Sequence, residues 1–138
     1  MSPIDPAVQL QIEQALVERD IARAADVAEK ALGEGQRHPM LLNLAAWKRE
    51  EAGDFEASLA LLEEALDLSP GDPSVIGAIG AVLRKQGRLS EALRRLDQAI
   101  RLDPTAAAPW LEQGMALETG GSLEPALASY RRAAELDP

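Results

Sequence analysis

The chain has few of the residues that most enzymes use for catalysis. Its 138 residues include no cysteine and one histidine, His38. Without cysteine there is no disulfide framework and no thiolate metal site. The sequence also contains no nucleophile, zinc-binding or phosphate-loop motif. We therefore expect a protein that is not an enzyme, with no catalytic residue, no cofactor and no metal site.

Basic residues and long apolar runs are also scarce. The 14 lysines and arginines face 23 acidic residues, for a net charge of −9. Nucleic-acid binding needs clustered positive charge, so nucleic acid is not an expected partner. The longest apolar run, residues 75–83, is too short to span a bilayer, and the amino terminus does not resemble a secretion signal. These features predict a cytoplasmic protein without a membrane partner.

Aromatic residues make up only 3% of the chain, against 46% for all apolar residues. A core must then be built from alanine, leucine, isoleucine and valine, which favours closely packed helices. The most informative pattern is a repeat of 34 residues. It relates three Leu-x-Pro segments, which end at Pro70, Pro104 and Pro138, and three glycines, Gly53, Gly87 and Gly121. A period of this size is typical of stacked helix-turn-helix units.

Each unit shows two stretches of helical apolar periodicity separated by a turn. Proline follows Asp5, His38 and Asp72, a position that suits the first turn of a helix. Asp20, Asp54 and Ser122 are expected to cap the second helices of their units. The predicted helices span residues 6–18, 21–33, 40–52, 55–68, 73–86, 89–102, 107–119 and 123–136.

The repeat resembles the tetratricopeptide repeat (TPR). In the third unit the matching residues are Gly80, Gly87, Ala92, Leu96, Ala99 and Pro104. In the fourth they are Trp110, Gly114, Leu117, Gly121, Ala126, Tyr130, Ala133 and Pro138. The resemblance implies an all-α fold, a right-handed α-solenoid of about four antiparallel helix-turn-helix units. Residues 1–138 are expected to form a single domain, with a degenerate unit at 5–38 and further units at 39–72, 73–106 and 107–138.

TPR proteins hold a peptide or a partner segment in a concave groove lined by the first helix of each unit. By register, the resemblance implies a groove formed by Met40, Asn43, Trp47, Glu50, Gly77, Ala81, Arg84, Leu111, Met115 and Glu118. Trp47 has two interpretations, an anchor for the partner or a shield for its own helix.

The positions that grip a C-terminal carboxylate in some TPR domains hold Gln9, Glu13, Ser74 and Ala78 here, and only Asn43 fits that pattern. An acidic tail is therefore disfavoured as a partner. The expected partner is a protein or peptide segment that is apolar, with a basic flank facing the groove acids.

Two alternatives to a free-standing interaction module stay open. The first is an N-terminal accessory domain of a longer bacterial enzyme, similar in organisation to 2-oxoglutarate iron oxygenases or sulfotransferases that carry such repeats. The second is a self-assembly element whose groove is filled by its own neighbour. The last predicted helix carries Leu127, Tyr130 and Ala134 where a further unit would pack. This uncapped C-terminal end indicates either a longer chain or a homodimer.

Overall fold

The computed structural model describes residues 3–138, so Met1 and Ser2, which the domain prediction includes, lie outside it. Within this range the chain is all-α and contains eight helices. They are α1 (Pro6–Val17), α2 (Ile21–Gly33), α3 (Pro39–Glu51), α4 (Phe55–Leu68), α5 (Pro73–Lys85), α6 (Leu89–Leu102), α7 (Ala107–Thr119) and α8 (Leu123–Leu136). Every predicted helix boundary agrees within one residue.

The helices pack as four consecutive pairs, α1 with α2, α3 with α4, α5 with α6 and α7 with α8. The turn inside each of the last three pairs contains a glycine with a positive φ, and φ is 79° at both Gly53 and Gly87. At the equivalent place in the first pair, Arg19 adopts a φ of 58°. A side chain is disfavoured in this left-handed conformation, so the first pair forms its turn at an energetic cost that the other pairs avoid.

Side-chain caps define most helix starts. Asp5 and Asp72 accept a hydrogen bond from the backbone N–H two residues on, and His38 does so through Nδ1. Asp20 and Asp54 cap α2 and α4 in the predicted manner. The prediction for Ser122 is wrong, because its hydroxyl makes no capping hydrogen bond to α8.

The four repeats group into two compact units, Met1–Pro70 and Gly71–Pro138. From here on these are called the first and second units, and a single helix pair is called a repeat. In the first unit α2 contacts both α1 and α3. The core between these helices is formed by small and aliphatic residues, namely Ile12, Ala15, Ala24, Ala28, Ala31 and Leu41. The buried hydroxyl of Ser58 donates to the backbone carbonyl of Ala46 at 2.8 Å, so this polar group is satisfied.

In the second unit α7 contacts α5, α6 and α8. A Cβ atom at Gly80 would lie 2.7 Å from Cγ of Leu96, and one at Gly114 would lie 2.7 Å from Cε1 of Tyr130. Glycine in the first helix therefore makes room for a large side chain in the second, as expected at a helix crossing. In the degenerate first repeat the sizes are reversed: the large residue, Ile12, lies on the first helix and the small one, Ala28, on the second.

The last helix differs from its prediction at one position. Leu127 is 47% exposed and Ala134 is also exposed, as expected for residues where a further unit would pack. Tyr130 lies on that outer face only in part: it lines a hollow with Ala134, but its ring also packs against Gly114 and its hydroxyl donates to Oε1 of Glu118 at 2.6 Å. No helix of residues 3–138 combines the length and the apolar character that crossing a bilayer requires.

Candidate functional site

The ten residues predicted to line a binding groove lie on α3, α5 and α7, and none of them is buried. Leu111 and Glu118 are exposed, and the other eight are half-buried. All ten thus present surface to solvent. Four of them belong to the first unit and six to the second unit.

In the first unit, Met40 packs partly against the core, while Trp47 is half-buried. The residue after this tryptophan, Lys48, lies 2.7 Å from Asp26 and 3.1 Å from Glu29. The hydrogen bonds that Lys48 donates to these two carboxylates raise its pKa, and the one to Asp26 has the largest effect. These ion pairs join α3 to α2 beside Trp47.

A second cation strengthens this junction. Nη2 of Arg49 lies 3.0 Å from Oε1 of Glu29, although this oxygen accepts no hydrogen bond. The contact is therefore an ion pair without the directional component that makes charge-assisted hydrogen bonds strong. With Lys48, Arg49 ties the carboxyl-terminal half of α3 to α2.

In the second unit, α5 and α7 enclose a hollow of about 290 Å³, which we call the α5–α7 hollow. Its lining combines small apolar residues with a few polar ones, namely Pro73, Ser74, Gly77, Ala78, Ala81, Asp103, Ala106, Ala108, Pro109 and Glu112. A Cβ atom at Gly77 would meet Cγ of Pro109 at 3.4 Å, so the two helices approach closely there. The predicted groove residues Gly77 and Ala81 thus lie together in one concave site.

An ion pair holds α5 to α7 at this site. Nε of Arg84 lies 2.6 Å from Oε2 of Glu112, and the two side chains are 19% and 21% exposed. Arg84 was predicted as a groove cation, but its guanidinium already has an acidic partner. At the edge of the hollow, the hydroxyl and the backbone N–H of Thr105 donate to Asp103, which lowers the pKa of that carboxyl.

Of the remaining predicted residues, Asn43 and Glu50 lie on α3 and Leu111, Met115 and Glu118 on α7, and none of them lines the α5–α7 hollow. Glu118 accepts the hydrogen bond from Tyr130, which raises the pKa of that phenol. Leu111 does not line the α5–α7 hollow. It lines a second hollow, of about 350 Å³, between α7 and α8, together with Tyr130 and Ala134.

Sequence reasoning missed Pro109 and Glu112 as lining residues of the α5–α7 hollow, whereas Ala78 was already among the positions compared with carboxylate-binding TPR domains. Ala78 and Glu112 occupy the same position of their repeats, one residue beyond the predicted groove position at Gly77 and Leu111. Applying the position of Ala78 to the next repeat would have found Glu112.

The arrangement suits recognition of a side chain by shape. Its walls are apolar and closely spaced, and carboxylates stand at its edge. Among residues 3–138, no three histidine or acidic side chains are grouped so that they could hold a metal ion.

Solved structures with the same fold include several helical-repeat proteins. YrrB, described as a TPR protein with an unusual peptide-binding site, is 23% identical, with a TM-score of 0.71 over 96% of this chain and 68% of YrrB. MamA from Desulfovibrio magneticus RS-1 is 20% identical, with a TM-score of 0.71 over 99% of this chain and 78% of MamA. At these identities the likeness concerns the fold alone.

A third structure is the first TPR of Spaghetti (RPAP3) bound to the HSP90 peptide SRMEEVD. It is 19% identical, with a TM-score of 0.69 over 72% of this chain and 81% of that one. No curated protein sequence matches the chain.

The family follows from sequence models. Three models described as tetratricopeptide repeat match residues 11–73, 50–111 and 107–138, and together they cover residues 11–138. The helix pairs, the glycine turns and the paired small and large residues agree with these matches. The chain therefore belongs to the tetratricopeptide repeat family.

Proposed function

We propose that the chain is a non-catalytic interaction module that binds a peptide or a segment of a partner protein along the first helices of its repeats. The α5–α7 hollow carries this proposal, because it is a concave and largely apolar site of about 290 Å³ that includes two of the predicted groove residues, Gly77 and Ala81. Pockets of this kind bury apolar side chains, and a few polar groups at the edge set their orientation.

The size and lining of the hollow suggest which residue it binds. Walls of glycine, alanine and proline at Gly77, Ala81 and Pro109 leave room for one aliphatic side chain or one proline ring. Because Arg84 neutralises Glu112, the carboxylate of Asp103 is the main source of charge at the edge. A lysine or arginine next to the apolar residue of the ligand would complement it.

Two of the similar structures support a peptide as the class of partner. YrrB is described by its peptide-binding site, and the Spaghetti (RPAP3) domain is bound to an HSP90 peptide. That peptide, SRMEEVD, is acidic at its carboxyl end. The matching positions here hold Gln9, Glu13, Ser74 and Ala78, which include no cation, so the ligand of this chain is expected to differ in charge.

Selection from a displayed library of random peptides tests the proposal. We expect the full chain to enrich peptides that carry an aliphatic residue or proline beside a basic residue. Ala81→Trp fills the hollow and should weaken binding of a selected peptide by about tenfold or more, since one buried aliphatic side chain contributes 1.5–3 kcal/mol.

Ala22→Trp is the matched control, because it adds the same side chain at an exposed position of α2. It should leave the affinity unchanged. Trp47→Ala asks separately whether the half-buried tryptophan of α3 anchors the ligand. Equal affinities for the wild type and the Ala81→Trp variant, with both chains folded, would contradict the proposed site.

A further inference from the structure

An apolar stripe on α8 is exposed to solvent. Leu123 is 65% exposed, Leu127 is 47% exposed and Ala134 is also exposed. Their separations of four and seven residues place them on one face of the helix. This α8 stripe, made of Leu123, Leu127 and Ala134, borders the hollow of about 350 Å³ that Leu111 and Ala134 line.

The equivalent face of the preceding repeat is used for helix packing. One repeat earlier, the same positions hold Leu89, Leu93 and Ile100 on α6, which contacts α7. Ile100 is only 8% exposed, and Cδ1 of Leu89 lies 3.8 Å from the place of a Cβ atom at Gly120, just after α7. A helix covers this face in one repeat, so a helix of suitable shape fits it in the next.

The first helix of another copy is a poor occupant. Where α7 buries Pro109 and Ala116, the corresponding residues of α1 are Ala7 and Gln14, and both are exposed. The glutamine side chain would lose its water contacts at an apolar interface. This mismatch disfavours a head-to-tail chain of copies.

The charges beside the α8 stripe are complementary to the same charges on a second, antiparallel copy. Glu124 and Arg131 lie along the same edge of the stripe, seven residues apart, which corresponds to roughly 10.5 Å along the helix axis. Neither side chain forms an ion pair within residues 3–138. If two α8 helices lie antiparallel across a twofold axis, Glu124 of each copy meets Arg131 of the other, which makes two equivalent ion pairs.

We propose that the α8 stripe is a homodimer interface, in which two copies of the chain pack α8 against α8 in antiparallel orientation. Leu123 of one copy then reaches the Ala134 end of the other and enters the hollow of about 350 Å³. The interface combines a buried aliphatic centre with charge pairs at its rim. Ala108 lines both the hollow of about 350 Å³ and the α5–α7 hollow, so the proposed interface borders the proposed peptide site.

Light scattering coupled to gel filtration, followed by sedimentation equilibrium, tests the proposal on the full chain. We expect a dimer for the wild type and a monomer for Leu127→Arg, because the arginine would be buried at the centre of the interface. Val17→Arg is the matched control, since Val17 is an apolar residue of α1 that is 83% exposed. It should stay dimeric, and circular dichroism should show that both variants are folded.

Charge exchange tests the orientation. Glu124→Arg and Arg131→Glu each place like charges opposite one another and should weaken the dimer by about tenfold or more. The double variant restores opposite charges and should return the dissociation constant to near the wild-type value. A wild type that stays monomeric at millimolar concentration would overturn the interface, and a double variant no tighter than the single variants would overturn the antiparallel arrangement.

Discussion

The two units of the molecule are both built from helix pairs, but different interactions join the helices in each unit. Residues 1–70 carry 14 acidic and 6 basic side chains, whereas residues 71–138 carry 9 and 8. In the first unit, ion pairs of Lys48 and Arg49 join α2 to α3. In the second unit, the ion pair between Arg84 and Glu112 joins α5 to α7, which are the first helices of its two repeats.

The two units also differ in how the first helices of successive repeats contact one another. Among the described helices of the first unit, α1 contacts α2 but not α3, whereas in the second unit α5 contacts α7 directly. The close approach requires small side chains, which Gly77, Ala78 and Ala81 supply. The degenerate first repeat instead carries Gln9 and Glu13 on its first helix. The α5–α7 hollow therefore depends on direct contact between the first helices of successive repeats.

The largest expected effect concerns the paired sizes of facing residues. Leu96→Ala removes a fully buried side chain and should lower the free energy of unfolding by about 2–5 kcal/mol. Gly80→Ile should cost about 1–3 kcal/mol or more, because its Cβ atom would lie 2.7 Å from Leu96. Denaturant unfolding followed by circular dichroism measures both.

The double variant Gly80→Ile with Leu96→Ala copies the arrangement of Ile12 and Ala28 in the first repeat. The two substitutions should therefore cost less together than the sum of the single effects, by 1 kcal/mol or more. Strictly additive effects would show that the large and the small residue cannot be interchanged between the positions of Gly80 and Leu96.

The turn residues provide the next comparison. Arg19→Gly should stabilise the chain by about 1 kcal/mol, because glycine adopts the positive φ of this turn without steric cost. Gly87→Arg makes the reverse change in the second unit and should destabilise by about 1–2 kcal/mol. Thermal unfolding of the two variants decides the matter, and a destabilised Arg19→Gly would contradict the role given to this backbone conformation.

The ion pairs of the two units should respond differently to salt. Arg84→Met should cost about 1 kcal/mol, since it leaves the carboxylate of Glu112 only 21% exposed and without its partner. Lys48→Met removes a more exposed cation and should have a smaller effect, which molar salt should largely remove. Equal salt sensitivity of the two variants would argue against the distinction between the units.

The smallest effect is expected at alkaline pH. The hydrogen bond to the Glu118 carboxylate raises the pKa of Tyr130 above the usual value of about 10. This contact therefore adds stability that is fully present below pH of about 10 and is lost as the pH rises through the raised pKa. Tyr130 is the only tyrosine, so tyrosinate absorbance reports it alone. Glu118→Gln should lower the midpoint, and an unchanged midpoint would show that the contact is absent in solution.

The sequence predicted the helices well because their limits depend on local signals. Proline at Pro6, Pro39 and Pro73 marks the start of three helices, and the glycine turns separate the pairs. The prediction for Ser122 failed because it was based on a statistical preference. Serine is common at the start of helices, but its hydroxyl does not bond to the backbone in every case.

The details of the site depend on contacts between distant residues, which a repeat register does not specify. Arg84 and Glu112 are 28 residues apart, and nothing in either helix alone shows that they pair. Similarly, the register assigned Tyr130 to the outer face, although the absence of a side chain at Gly114 allows its ring to pack inward. The register identified Gly77, Ala78 and Ala81 as groove positions, but the three-dimensional structure was needed to add Pro109 and Glu112.

Mapping of backbone amide shifts by NMR, during titration of the full chain with a library-selected peptide, tests the account most directly. If the α5–α7 hollow holds the ligand, the amides of Gly77, Ala78 and Ala81 should shift in saturable fashion, and those of the outer face of α2, such as Ala22, should not. Saturable shifts confined to residues outside the hollow, or no shifts for a peptide that binds, would contradict the account.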